Sequence, residues 1–215
     1  MRFAGLAEIE AYWEALRAGR QAPSRTEIDP RGIEGALAQA FIATGSSDGP
    51  CRFRVAGREA RAAMGMDLRG MPVDALILPA DRAGFSALVG RVLSDAARAE
   101  IDLCAPRCGA APPLLARMVM LPLAGPDGGI DRMLGGLSIP GLAAGDDYSA
   151  AACGAPRRFL VTARQLRPPA APGAASAPAP ELAEPAAAFA HQSDTGVRLR
   201  PTRAPHLRVV EPDRP

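Results

Sequence analysis

Residues 51 to 70 constrain the fold more than any other stretch, because the hydrophobic period changes inside them. Phe53 and Val55 alternate with Arg52 and Arg54, as in a half-buried strand, while Glu59 to Met64, beyond Gly57, are helix formers. Gly65 stands where a helix takes a left-handed C-terminal residue, and Asp67, Gly70 and Pro72 keep that helix from continuing. The stretch predicts a strand feeding a short helix through a glycine turn.

Upstream, Leu6, Ile9, Trp13 and Leu16 recur at helical steps, with Glu8, Glu10, Glu14 and Arg17 on the other face. Residues 1–20 therefore read as an amphipathic helix that Gly19 stops. Asp29 and Pro30 open a second short helix with Ile33 and Leu37 as its apolar face. Ala40 to Thr44 and Cys51 to Val55 read as a hairpin. Met71 to Leu78 is short and helical or irregular. Asp81 then caps a longer helix with one face formed by Phe85, Leu88, Val89, Val92, Leu93 and Ala96. Three strands follow, Ala99 to Cys104, Leu114 to Leu123 and Asp131 to Leu137. Residues 141–166 read as a loop and one further strand, Phe159 to Leu166. Residues 167–215 read as an Ala/Pro-rich linker and an Arg-rich tail (Arg198, Arg200, Arg203, Arg208), too poor in bulky apolar groups to fold alone.

The wording of the central stretch resembles the second strand and first connecting helix of a PAS domain. More narrowly, Arg52 to Gly57 (R-F-R-V-A-G) with Leu68-Arg69-Gly70 downstream, Pro23-Ser24-Arg25 and Ile28-Asp29-Pro30 upstream, and the Trp13 helix before them resemble small bacterial, alphaproteobacterial-type, single PAS domain proteins. That resemblance covers roughly residues 5 to 140, with residues 21–140 as the PAS-like domain. It implies an α+β fold, a five-stranded antiparallel PAS-like sheet with a helical crossover and an extra N-terminal amphipathic helix, to which the composition adds a disordered C-terminal tail. The element order, two strands, helices and three strands, fits the same fold.

Composition narrows the function. Hydrophobic residues make up 48% of the chain but aromatic ones only 4%, so alanine and glycine supply much of the apolar count. A net charge of +2, from 25 basic and 23 acidic residues, provides no global field for nucleic acid or an anionic membrane. The longest apolar run, Leu114 to Leu123, is broken by Arg117 and Pro122, short of the ~18 to 20 residues a spanning helix needs. With no secretory pattern at the N-terminus, the expected location is cytoplasmic and the expected state of the four cysteines is reduced.

The residue pattern excludes most chemistry. Both histidines, His191 and His206, lie in or beyond the linker, which leaves no axial haem ligand in the core. Gly49-Pro50-Cys51-Arg52-Phe53 echoes the N-C-R-F signature of flavin photosensors, but Pro50 replaces the asparagine and Cys51 sits at the start of the second strand, not on a helix after it, so no flavin is expected. Cys104 and Cys108 lack a second ligand pair for zinc. Gly135-Gly136 lacks the strand-to-helix setting of a nucleotide loop and is read as relieving crowding in the last strand. No metal, cofactor or catalytic residue is expected, and the chain is not expected to be an enzyme.

Two roles remain. One is a non-catalytic sensory or regulatory PAS module that binds a small ligand or a protein and passes its output through a separate partner. Its expected pocket lining is Phe53, Val55, Phe85, Val89, Met118 and Met120, residue types that equally build an ordinary core. The other is a structural or localisation adaptor using core dimerisation and the Arg-rich tail. The N-terminal helix suits either its own sheet or a second copy of the chain. A homodimer through Trp13 and Leu16 is the expectation for that surface.

Overall fold

The computed structural model describes residues 3–45, 49–108, 113–143, 150–168, 199–201 and 208–210. Helix α1 (Ala4–Arg17) comes first, and two 3-10 segments, Arg25–Glu27 and Pro30–Ala36, lead into β1 (Ala40–Thr44) and β2 (Arg52–Ala56). Helix α2 (Arg58–Met64), 3-10 turns at Val73–Leu76 and Pro79–Asp81, and helix α3 (Arg82–Ser94) form the crossover. Strands β3 (Arg98–Ala105), β4 (Leu114–Ala124) and β5 (Ile130–Ser138) form a meander; two single turns, α4 (Pro140–Ala143) and α5 (Ala150–Cys153), then precede β6 (Leu160–Arg167).

The sheet runs β2-β1-β5-β4-β3-β6, with every neighbouring pair antiparallel. The five expected strands and the helical crossover are all present. The sheet itself is six-stranded: Leu160–Arg167 joins the edge of β3, extending the expected five-stranded count.

Both faces of the sheet centre are covered. Helices α2 and α3 bury one face, here the inner face, with Phe53, Phe85, Val89, Met118, Met120 and Leu137 in one cluster. Helix α1 and the Pro30–Ala36 segment bury the outer face through Leu6, Ile9, Trp13, Ile33, Val119, Leu121 and Leu134. This explains why β4 is apolar on both faces from Met118 to Leu121, whereas β3 alternates: the outer side of β3 carries Arg98, Glu100 and Asp102.

Gly135 and Gly136 relieve crowding on opposite faces, as expected. A Cβ at Gly135 would overlap the ring of Phe41, and one at Gly136 would lie 2.6 Å from Leu6 Cδ2 and 2.8 Å from Ile9 Cδ1. Phe41 therefore lies flat enough to meet Phe53 edge-on at 5.3 Å, and α1 settles close to the strand.

Pro122 sits in β4 beyond the last residue paired to β3, so its missing N–H costs no bond on that side. Its free carbonyl accepts the Trp13 indole N–H at 2.8 Å, and two residues on the Ala124 N–H donates to Pro23 O at 2.9 Å. Where β3 has not yet begun, α1 and the residue-23 segment complete the edge of β4. Trp13 is 2% exposed and belongs to this chain's own core, and Leu16 packs beside it, partly buried.

Several caps match the sequence. Gly65 takes φ 70° at the end of α2, and Asp29 accepts the Arg31 N–H at 3.0 Å, although the segment it opens is a 3-10 helix rather than an α-helix. Asp81 stands at the head of α3 but makes no cap bond. Its carboxylate accepts the Val161 N–H at 2.9 Å and so ties the crossover to β6.

The chain divides into two units, Met1–Ala175 and Ser176–Pro215. In the second, Leu199–Pro201 and Arg208–Val210 form a two-stranded antiparallel ladder that contains Arg200 and Arg208. The remainder of the expected linker and tail, including Arg198 and Arg203, lies outside the described residues.

Candidate functional site

Strict alternation in Arg52 to Ala56 predicts that Phe53 and Val55 share a face. The pairing with β1 shows why they do not. Ala43 stands opposite Phe53 and Ile42 opposite Val55, so two steps on β2 answer one on β1 and Arg54 is a bulge. Past the bulge every side chain changes face. Phe53 stays fully buried in the inner cluster, and Val55 emerges on the outer face with 52% of its surface exposed.

Of the six residues expected to line one pocket, the structure brings five together: Phe53, Phe85, Val89, Met118 and Met120, all in the inner cluster. Val55 is the correction. It lies on the wall of a separate open groove of about 510 Å³ on the outer side, with Ile28, Ile33, Leu37, Ile42 and Leu134.

The groove follows from local structure. Ile33 breaks the Pro30–Ala36 segment with φ −133° and ψ 35°, which lets Ile33 and Ala36 turn inward while Leu37 is left 42% exposed. Val55 faces it from the edge strand. Residues 70–73 cover the first half of that edge, with the Phe53 N–H donating to Met71 O at 2.9 Å and the Val73 N–H donating to Cys51 O at 2.8 Å. The cover stops at Phe53.

Three arginines line the groove as well: Arg25 from the first 3-10 turn, and Arg58 and Arg61 from α2. Among the described residues none of the three has an ion-pair partner. By contrast, the outer side of β3 and β4 is internally neutralised. Arg117 bonds Glu100 and Asp102, each at 2.7 Å, and Arg98 bonds Glu14 at 3.1 Å. The groove thus combines exposed apolar walls with unspent positive charge.

Glu59, on α2 behind the groove, is buried and holds the helix in place. Its Oε2 accepts the Ile139 N–H at 2.5 Å; burial raises its carboxyl above the ordinary value, opposed by that bond and by one from Gln39. Cys51 is also buried, which pushes its thiol up to about 12 and makes it inert. Among the described residues no group of three His, Cys, Asp or Glu is placed to hold a metal ion. No helix among them is long and apolar enough to cross a membrane.

The sequence profile of the PAS domain matches residues 1–138, well over half of the chain. The chain belongs to the PAS domain family. A crystal structure of the PAS domain of a protein from Colwellia psychrerythraea is similar over 51% of this chain and 94% of that one, at 14% identity and a TM-score of 0.35. No curated protein matches the sequence. PAS domains are generally non-catalytic, and the family suggests a sensory or regulatory module.

Sequence reasoning missed the groove of this PAS domain because the bulge at Arg54 leaves no mark in an alternating R-F-R-V-A. A partial signal existed at Arg58 and Arg61, which lie three apart on a short helix and so share a face.

Proposed function

We propose that this PAS domain is a non-catalytic regulatory module whose output is the docking of a separate protein, an acidic and apolar segment of which seats in the groove beside Val55. One observation carries the reading: Val55 and Leu37 are exposed within a groove whose arginines, Arg25, Arg58 and Arg61, are left without ion-pair partners among the described residues. Apolar walls supply the burial, and the guanidiniums select carboxylates and repel basic segments. The uncovered half of β2 offers an extended segment a strand to pair with.

Binding of a protein is favoured over binding of a small ligand at the inner face. Phe53, Phe85, Val89, Met118 and Met120 are each at most 6% exposed and pack against one another, whereas the groove is open. For the adaptor reading, with a homodimer and the Arg-rich tail, most of the tail lies outside the described residues.

The test uses the full chain and a fluorescein-labelled synthetic peptide that alternates glutamate and leucine, read by anisotropy. Saturable binding is expected, weakened about tenfold in the Arg58→Glu/Arg61→Glu double variant, an ion-pair effect near 1.4 kcal/mol. Equal binding of a lysine-leucine peptide would sink the charge argument. A mass in light scattering that doubles with concentration, and falls back in Val55→Asp, would make a second copy the occupant instead.

A further inference from the structure

The spacing of Cys104 and Cys108 suggests that these two thiols belong together, but the fold separates them. Cys104 Sγ turns back to the carbonyl of Ala105 at 3.7 Å. Cys108 instead meets Cys153, 45 residues away: Cys108 Sγ lies 3.6 Å from Cys153 O, and Cys153 Sγ lies 3.9 Å from Cys108 O. Both residues are partly exposed and both are free thiols.

A buried guanidinium holds the two segments together. Arg157, 3% exposed, donates through Nη1 to Cys153 Sγ at 3.1 Å and through Nη2 to Pro106 O at 3.0 Å, two residues from Cys108. Its own backbone N–H donates to Ala63 O at 2.8 Å, so the thiols are fixed against α2 rather than carried on a free loop. Each sulfur lies beside the other residue's carbonyl, and the two thiols are in contact.

We infer that Cys108 and Cys153 form a redox-active dithiol, a modification site oxidised to an intramolecular disulfide by low-molecular-weight disulfides. Cys153, as its thiolate, attacks one sulfur of the small disulfide, a new S–S bond forms, and the first small thiolate leaves. Cys108, its proton lost to water, then attacks the Cys153 sulfur and expels the second small thiolate. The protein loses two electrons and two protons, and one small disulfide becomes two small thiols. Cys153 is the entry point because the guanidinium orients its sulfur. The Cys108 thiol is held up first by its contact with Cys153 and then by burial, which suits it to the second, intramolecular step.

The experiment incubates the reduced full chain with oxidised glutathione, then alkylates it with N-ethylmaleimide in denaturant for intact mass and tryptic mapping. Arg107 lets trypsin separate Cys104 from Cys108. The expected result is a fall from four maleimides to two, a loss of two hydrogens, and one cross-linked peptide pair carrying Cys108 and Cys153. Cys108→Ser should trap glutathione on Cys153, while Cys153→Ser should yield neither the cross-link nor a stable adduct at Cys108. Four maleimides after full exposure to oxidised glutathione, or a Cys104–Cys108 link, overturns the pairing. A trapped adduct on Cys108 in Cys153→Ser, with none on Cys153 in Cys108→Ser, overturns the assignment of roles.

Discussion

Removing the Trp13 side chain should unfold this domain from its outer face. Trp13 is 2% exposed, donates its indole N–H to Pro122 O at 2.8 Å, and lies beneath the guanidiniums of Arg17 and Arg98 at 5.7 and 5.6 Å from the ring centre. Trp13→Ala leaves a ring-sized void between α1 and the sheet and should cost about 3 to 5 kcal/mol. Trp13→Phe keeps most of the apolar area but strands the Pro122 carbonyl, a loss of about 1 to 3 kcal/mol. Against the ~5 to 15 kcal/mol typical of a domain, the alanine change removes a large fraction of the stability. Urea unfolding followed by far-UV circular dichroism reads both variants, since Trp13 is the only tryptophan and the fluorescence signal goes with it. The order should be alanine worse than phenylalanine worse than wild type. An alanine variant within about 1 kcal/mol of wild type, or one that turns a dimer into an equally stable folded monomer, would refute the packing of α1 on its own sheet.

Gly135→Ala should destabilise by about 1 to 3 kcal/mol, because the new methyl group meets the ring of Phe41, itself braced by Phe53; a thermal melt matching wild type would contradict this. Burial raises the Glu59 carboxyl above its ordinary value of 4.5, so the folded state binds that proton more tightly than the unfolded chain. The associated stability is complete below the ordinary value and is lost as pH rises through the raised one. Wild type should accordingly lose ground to Glu59→Gln as pH climbs from 4.5 toward neutrality, and denaturant midpoints moving the other way would reverse the assignment. Cys51, its thiol pushed up to about 12, should be the last of the four cysteines to react with maleimide in native protein; early labelling would show that it is not buried.

The parts of the fold legible in the sequence are those governed by local chemistry. Gly65 needs a left-handed backbone at the end of α2, Asp29 with Pro30 opens a turn of helix, and the alternation of β3 reports one covered and one charged face. What escaped depends on register and on distant chain. The bulge at Arg54 turns Val55 to the other face without altering the alternating pattern, and so places Val55 on an outer groove instead of in the inner cluster. Asp81 has the sequence of a helix cap, yet its carboxylate is taken by Val161, 80 residues on. Trp13 suits core or partner in the sequence because the carbonyl that holds it belongs to Pro122, whose availability follows from β3 starting too late to pair with it. Cys108 stands four residues from Cys104 in the chain, and only the tertiary fold brings Cys153 to it.

The claim that the Val55 groove is a docking surface for acidic, apolar chain is tested most directly by mapping backbone amide shifts while the glutamate-leucine peptide is titrated into isotopically labelled full-length protein. Saturating shifts are expected in 40–42, in 55–61 and around Leu37, with little change at the inner cluster around Met118 and Phe85. Shifts confined to the inner cluster, or to the neutralised face of Glu100, Asp102 and Arg117, would contradict it.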